Sequence, residues 1–179
     1  MPTLIAPVPS GTPGAATTRG VLFVHACPRA LSPHVEWAIA AVMEREITLS
    51  WGAQPVLPGS VRAELTWHGP AGSGARLVTA LRGFTGLRYE VTEDPSSGHE
   101  GERYSYTPTL GVFRTTIGVH GDVQLSEDRL RAAMADSMQH GTSLRDALDA
   151  LLGGAWDAEL EPFRYAGQGA SVRYLHRVG

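Results

Sequence analysis

Residues Gly20 to Glu46, GVLFVHACPRALSPHVEWAIAAVMERE, constrain the fold more than any other stretch. Side chains alternate along a strand, which puts Val21, Phe23, His25 and Cys27 on one face and Leu22, Val24 and Ala26 on the other. Both faces are mostly apolar, the mark of a strand covered on both sides and flanked on both edges. Pro28 cannot donate to a ladder and ends the strand. Ser32 is read as a helix cap, with Pro33 at the favoured first position. Val35, Ala38, Ile39, Val42 and Met43 then share one helical stripe, with Glu36 near the positive end of the helix dipole.

The following segments fit a repeating plan. Ile47, Leu49 and Trp51 alternate with Thr48 and Ser50, which predicts a half-buried strand. After the turn chemistry of QPVLPGS, Val61, Ala63, Leu65 and Trp67 alternate with Arg62, Glu64, Thr66 and His68. A hairpin with one apolar and one polar face is expected. The glycine-rich GPAGSG leads into a helix carrying Leu77, Val78, Leu81 and Phe84, and Leu87 to Thr92 forms another strand. The order strand, helix, strand, strand, helix, strand is that of a ferredoxin-like unit, in which the first strand is internal.

Beyond this βαββαβ unit, Glu102 to Thr107 and Leu110 to Val119 predict two more strands. Ser126 caps a helix with Leu130, Ala133, Met134 and Ser137 on one face, ended by Gly141. Ser143 starts a second helix with Leu144, Leu148, Leu151, Leu152 and Trp156 on its stripe, stopped or bent at Gly153-Gly154. Val172 to Arg177 reads as a closing strand. The expected architecture is therefore α+β: a ferredoxin-like unit extended by two strands, two helices and a closing strand. Residues 1–19, rich in Pro, Gly, Thr and Ala, form a flexible tail, although the first five residues could add an edge strand. Residues 20–179 form a single domain, a size at which roughly 70% of the unfolded surface is buried without staples.

Composition narrows the function. A net charge of -3 disfavours a phosphate-backbone binder, so nucleic acid is not the expected partner. No apolar run approaches the roughly 20 residues needed to span a bilayer, and no signal-peptide pattern opens the chain. One cysteine permits neither an internal disulfide nor a cysteine zinc cluster, and a reducing, cytoplasmic location is expected. The histidines show no metal-ligand spacing, no GxSxG elbow occurs, and neither a metal nor a cofactor is expected.

His25, Cys27, Arg29 and His34 form the candidate functional cluster, because they collect at the end of an internal strand and the start of its helix. Alternation puts His25 and Cys27 on one side, where an imidazole could activate a thiol. Against this, Cys27 also suits a core as a small apolar residue, and Pro28 removes an amide that an oxyanion hole there would need. GPAGSGAR has the glycine spacing of a phosphate loop but carries Ala75 and Arg76 where Lys and Ser or Thr belong, so a simple strand-to-helix connection is expected. The candidate interaction surface is Trp37, which lies off its helix's main stripe, together with the polar sheet face of Arg62, Glu64, Arg88 and Glu90.

TTRGVLFVHACPRALSPHVEWAI, residues 17 to 39, and GVFRTTIGVHGDVQLSEDRLRAAM, residues 111 to 134, resemble an actinobacterial family, domain of unknown function 3145. The resemblance covers residues 17–179. It brings no activity, cofactor or catalytic residue, but the proximity of some relatives' genes to type II fatty-acid synthesis genes implies a protein partner in acyl-chain metabolism. The leading expectation is a non-catalytic binding or regulatory protein, with a homodimer as one assembly. The alternative is a small-molecule or acyl-group enzyme working through His25, Cys27, Arg29 and His34. A third, RNA binding across a ferredoxin-like sheet, lacks the basic aromatic signature of RNA-recognition modules.

Overall fold

The computed structural model describes residues 16–165. The predicted edge strand at the first five residues and the closing strand at Val172 to Arg177 lie outside them. Among the described residues, seven antiparallel strands run in the order β2-β3-β1-β4-β5-β6-β7. They are β1 (Thr17–Pro28), β2 (Gly52–Ala53), β3 (Ser60–Pro70), β4 (Arg88–Glu93), β5 (Gly101–Thr107), β6 (Gly111–Ile117) and β7 (Val123–Gln124). Among the described residues there are five α-helices: α1 (Ser32–Met43), α2 (Ser73–Leu81), α3 (Glu127–His140), α4 (Leu144–Leu152) and α5 (Gly154–Tyr165). The class is α+β, and β1 is paired on both edges, with β3 and β4.

The double-sided apolar character of β1 has a direct cause. On one face, Leu22 and Val24 join Val61, Trp67, Tyr89, Val91 and Tyr104 under α1 and α2, which contribute Val35, Ile39, Leu77 and Leu81. On the other, α5 lies across part of the sheet and buries Leu160 and Phe163. At about 25 cal/mol per Å² of apolar surface, the first layer carries most of the burial energy.

Gly20 is the tightest point of the sheet. A Cβ there would lie 1.9 Å from the Thr92 carbonyl oxygen and 2.5 Å from the Trp67 ring. Only a glycine lets the indole of Trp67 lie over β1 at this position.

Four expectations need correction. Ile47 to Trp51 is not a strand. Leu49 is buried and Ile47 and Trp51 pack on the core, as the alternation requires. But Glu36 Oε1 accepts from the Leu49 amide at 2.8 Å and from Trp51 Nε1 at 3.0 Å, so a side chain takes the place of a ladder partner. Pairing begins only at Gly52–Ala53. Glu36 therefore works as a tether for this segment as well as sitting near the helix start.

Ser32 does not cap α1. It is the first helical residue, and its hydroxyl donates back to the Arg29 carbonyl, at the start of a short 3-10 turn. Gly153 ends α4 as the glycine pair predicts, but Trp156 belongs to a further helix, α5, which carries Pro162 inside its last turn, and not to the stripe of α4. The fourth correction concerns β1 itself and bears on the site.

Candidate functional site

Between Val24 and Cys27 the register of β1 shifts. Val24 pairs with Ala63 and Cys27 with Val61, so β1 spends one residue more than β3 over this stretch. The pairing with β4 shifts too, between Val24 and Ala26. Such a bulge turns the alternation over. Cys27 goes into the core beside Leu22, Val24, Val35 and Ile39, under the helices. His25 stays on the opposite face, stacked on Phe23 with ring centroids 6.0 Å apart. The expected partnership of His25 and Cys27 on one side is thus undone by one extra residue. Burial pushes the Cys27 thiol up to about 11, the reverse of an activated nucleophile.

The other two members of that cluster are elsewhere. Arg29 is exposed in the 3-10 turn, where its amide donates to the Gly59 carbonyl. His34 is exposed on α1, edge-on to Trp37 at 5.1 Å. Trp37 is 66% exposed, on the helical layer. The remaining interaction candidates do share one face, the face of His25. Their exposures differ, however: Glu64 is open, Arg62 and Arg88 are half-buried, and Glu90 is buried.

Glu90 is the centre of this face. His25 Nε2 lies 2.7 Å from its Oε2. Arg164, from α5, donates to both carboxylate oxygens, at 3.0 Å from Nε and 2.6 Å from Nη2. Arg103 donates to Oε1 at 2.9 Å, and the Ser105 hydroxyl reaches the same oxygen at 3.4 Å. Both guanidinium groups also hold Asp157, at 2.9 Å and 2.7 Å. Burial alone would raise the Glu90 carboxyl, but hydrogen bonds from His25 and Arg164 outweigh it and hold the group well below the usual carboxylate range. Burial would likewise lower Arg164, and the Glu90 carboxylate instead raises it. The network clamps α5 onto the sheet. Nearby, the Arg88 guanidinium lies over the Phe163 ring, 4.7 Å from its centroid, and Gln54 Nε2 donates to the His25 carbonyl at 2.6 Å.

α5 covers only part of the face. Beside it lies a cavity of about 950 Å³. Its floor is Val21 and Phe23 on β1 with Thr92 on β4, and its inner end is Glu90 and Arg103. Glu64, Thr66 and His68 form one exposed row along β3. Ile117 and the Gly118–Gly121 turn close the far wall, and the Arg19–Asp94 pair, 2.8 Å apart, closes one end. The lining is mixed: an apolar floor with hydroxyl, imidazole and carboxylate groups around it. Thr92 has a structural task as well, since its hydroxyl accepts from the Val21 amide at 3.2 Å.

The glycine loop is already occupied by a group of the protein itself. Glu93, buried on β4, accepts from the Gly72 amide at 2.6 Å and from the Gly74 amide at 2.7 Å. Gly72 has a φ of 88°, which turns these amides toward the carboxylate. The anion that the start of α2 would favour is therefore supplied internally. Among the described residues, no three His, Cys, Asp or Glu side chains converge to hold a metal ion.

Sequence reasoning found the face but not the groove. Arg103, Asp157 and Arg164, which hold Glu90 or one another at its inner end, are not singled out by the sequence, which does not reveal α5. A signal was present in Leu160 and Phe163 three residues apart, with Asp157 and Arg164 bracketing them, but Pro162 masked it.

The fold and groove together define a class: an α+β protein built on an antiparallel sheet, with a partly roofed, mixed-polarity cleft on one face. The chain belongs to the family described as protein of unknown function (DUF3145), whose model matches residues 21–177. No curated protein and no solved structure matches it.

Proposed function

We propose that this chain is a non-catalytic binding or regulatory protein that receives its partner or ligand in the groove beside α5. The observation that carries the reading is the state of the charged groups. The titratable groups buried at the inner end of the groove, His25 and Glu90, are engaged in holding α5. What remains accessible is a recognition surface: Glu64, Thr66 and His68 above an apolar floor. The reading of His25, Cys27, Arg29 and His34 as an enzyme site gains no support from residues on opposite faces of the sheet.

The order β2-β3-β1-β4, with helices following β1 and β3, supports describing this part of the sheet as ferredoxin-like. The family resemblance makes an acyl carrier protein or another component of type II fatty-acid synthesis the first partner to try, in the cytoplasm. No helix of the described residues is long and apolar enough to cross a membrane.

The test is native mass spectrometry of the protein purified gently from its own host, compared with Thr66→Trp, which fills the groove from an exposed position. A second chain or bound mass in the parent, lost in Thr66→Trp, is the expected result. A bound species that Thr66→Trp leaves in place would move the site elsewhere. An empty parent, in the presence of an added carrier protein, would overturn the reading.

A further inference from the structure

We infer that the outer edge of β3 pairs with the same edge of a second copy of this chain, joining two sheets across a two-fold axis at Thr66. The inference does not rest on the reading of the groove as a binding site. Three observations carry it.

The first is the direction of the backbone along β3. On the β2 side, the Ser60 carbonyl accepts from the Gln54 amide at 3.0 Å. On the β1 side, the Ala71 amide donates to the Ala16 carbonyl at 2.8 Å. Thr66 is paired with Val21, whose own amide and carbonyl are directed at β4, where the Thr92 hydroxyl meets them at 3.2 Å and 3.4 Å. Backbone groups alternate in direction along an antiparallel strand, so even-numbered residues of β3 aim amide and carbonyl away from β1. β2 engages only Val61 and Arg62. Among the described residues, no strand lies outside Glu64, Thr66 and His68, and all three are exposed.

The second is length and symmetry. Arg62 is taken by β2, and Pro70 has no amide to give. The usable stretch is therefore Ala63 to Gly69, and Thr66 is its midpoint. An antiparallel pair centred there sets Thr66 against Thr66 and Glu64 against His68 of the second copy. All of these residues face outward, so each pair can exchange both of its backbone hydrogen bonds. A shifted centre pushes part of the stretch against β2 or past Pro70.

The third is side-chain chemistry. Glu64, Thr66 and His68 share one face of the strand. The centred register puts a carboxylate opposite an imidazole at both ends, with the two hydroxyls between them. Neither Glu64 nor His68 has a hydrogen-bond or ion-pair partner among the described residues. Opposite characters across a strand pair stabilise it, and like charges directly opposite destabilise it. On the other face the half-buried Leu65 is set opposite Trp67 of the second copy. Any extended chain could use the hydrogen bonds, but the self-complementary order of acid, hydroxyl and imidazole selects this chain's own edge. The paired form opens its two grooves side by side on one face, with Glu64, Thr66 and His68 of both copies between them.

The test is sedimentation of the full-length protein over a concentration series reaching about 1 mM. A species of twice the chain's mass is expected. Glu64→Lys and His68→Glu should each weaken it at least about fivefold, because symmetry alters two cross-strand pairs at once. The double variant sets lysine opposite glutamate, and its dissociation constant should return to within about threefold of the parent's. Thr66→Pro removes an outward amide that β1 does not use, and should abolish the species while circular dichroism shows the monomer still folded. A parent that stays monomeric to about 1 mM overturns the proposal. So does a dimer that Thr66→Pro leaves in place, and a double variant no tighter than the single ones overturns the register. No other partner enters this experiment, and a foreign partner would add a different mass, so this inference and the groove reading fail separately.

Discussion

At the scale of single residues, Glu90 does the most work. It is a buried carboxylate with two arginines and a histidine around it, so removing it leaves several donors and two positive charges facing a void. Glu90→Ala is expected to cost about 3–5 kcal/mol, measured as a shift in urea midpoint. The pH dependence follows from the direction of its shift. Its folded value is held below the ordinary 4.5, so its stabilisation is fully present above that pH and is lost as pH falls through it toward the lowered folded value. The acid limb of unfolding should therefore be shallower in Glu90→Gln than in the parent.

Two other residues make sharper, smaller claims. Glu93→Ala strands the Gly72 and Gly74 amides and should cost about 1–3 kcal/mol. Gly20→Ala drives a methyl into the Thr92 carbonyl and Trp67, and a loss of about 3 kcal/mol or more is expected in the same urea experiment.

At the scale of elements, α5 decides whether there is a groove at all. Its attachment is mostly ionic, through Arg164 and Asp157, with Leu160 and Phe163 as its buried apolar anchors and a Trp156 Nε1 donation to the Gly111 carbonyl at 2.9 Å. Substitutions at Glu90 and Arg164 should therefore be strongly non-additive. In a double-mutant cycle, Arg164→Leu should remove at least about 1 kcal/mol of the cost of Glu90→Ala, because the second change no longer strands a buried guanidinium.

The same scale explains what could be read in advance. The alternation in β1 as far as Val24, the alternation in β3 and the stripe of α2 are where expectation and structure agree. Glycine at 141 and 153 ends α3 and α4 as expected, each with positive φ. The bulge in β1 was not legible, because inserting one residue leaves no trace in a run that is apolar on both faces. The paired strand expected at Ile47 to Trp51 failed for a different reason. Its pattern was correct, but its amide partner is Glu36, a side chain thirteen residues earlier for Leu49. Pattern reports which side is buried and is silent on what bonds the backbone. His25 and Glu90 at the groove's inner end were legible as candidates, but their α5 partners Asp157 and Arg164 were not, because a proline inside a helix is read as a boundary.

At the scale of the whole molecule, α3 and α4 stand apart from the sheet. α3 packs mainly on α4, and Ala133 is its one buried residue. Met134 and Met138 are exposed, the latter at 86%. Amides of α3 should exchange with solvent well before those of β1, which hydrogen exchange with mass spectrometry will resolve. Under dilute peroxide, Met138 should be oxidised ahead of the partly buried Met43.

The two-residue strands at the margins of the sheet have a consequence for crowded solution. β2 covers only Val61 and Arg62 of β3, and β7 only Thr116 and Ile117 of β6. Among the described residues, β3 from Ala63 to Pro70 and β6 from Gly111 to Thr115 therefore carry no strand on their outer side. Backbone left open in this way is a template for another extended chain, and Pro70 at the end of β3 trims that rim only at its tip. Rising concentration should therefore drive edge-to-edge pairing of copies along β3 or β6.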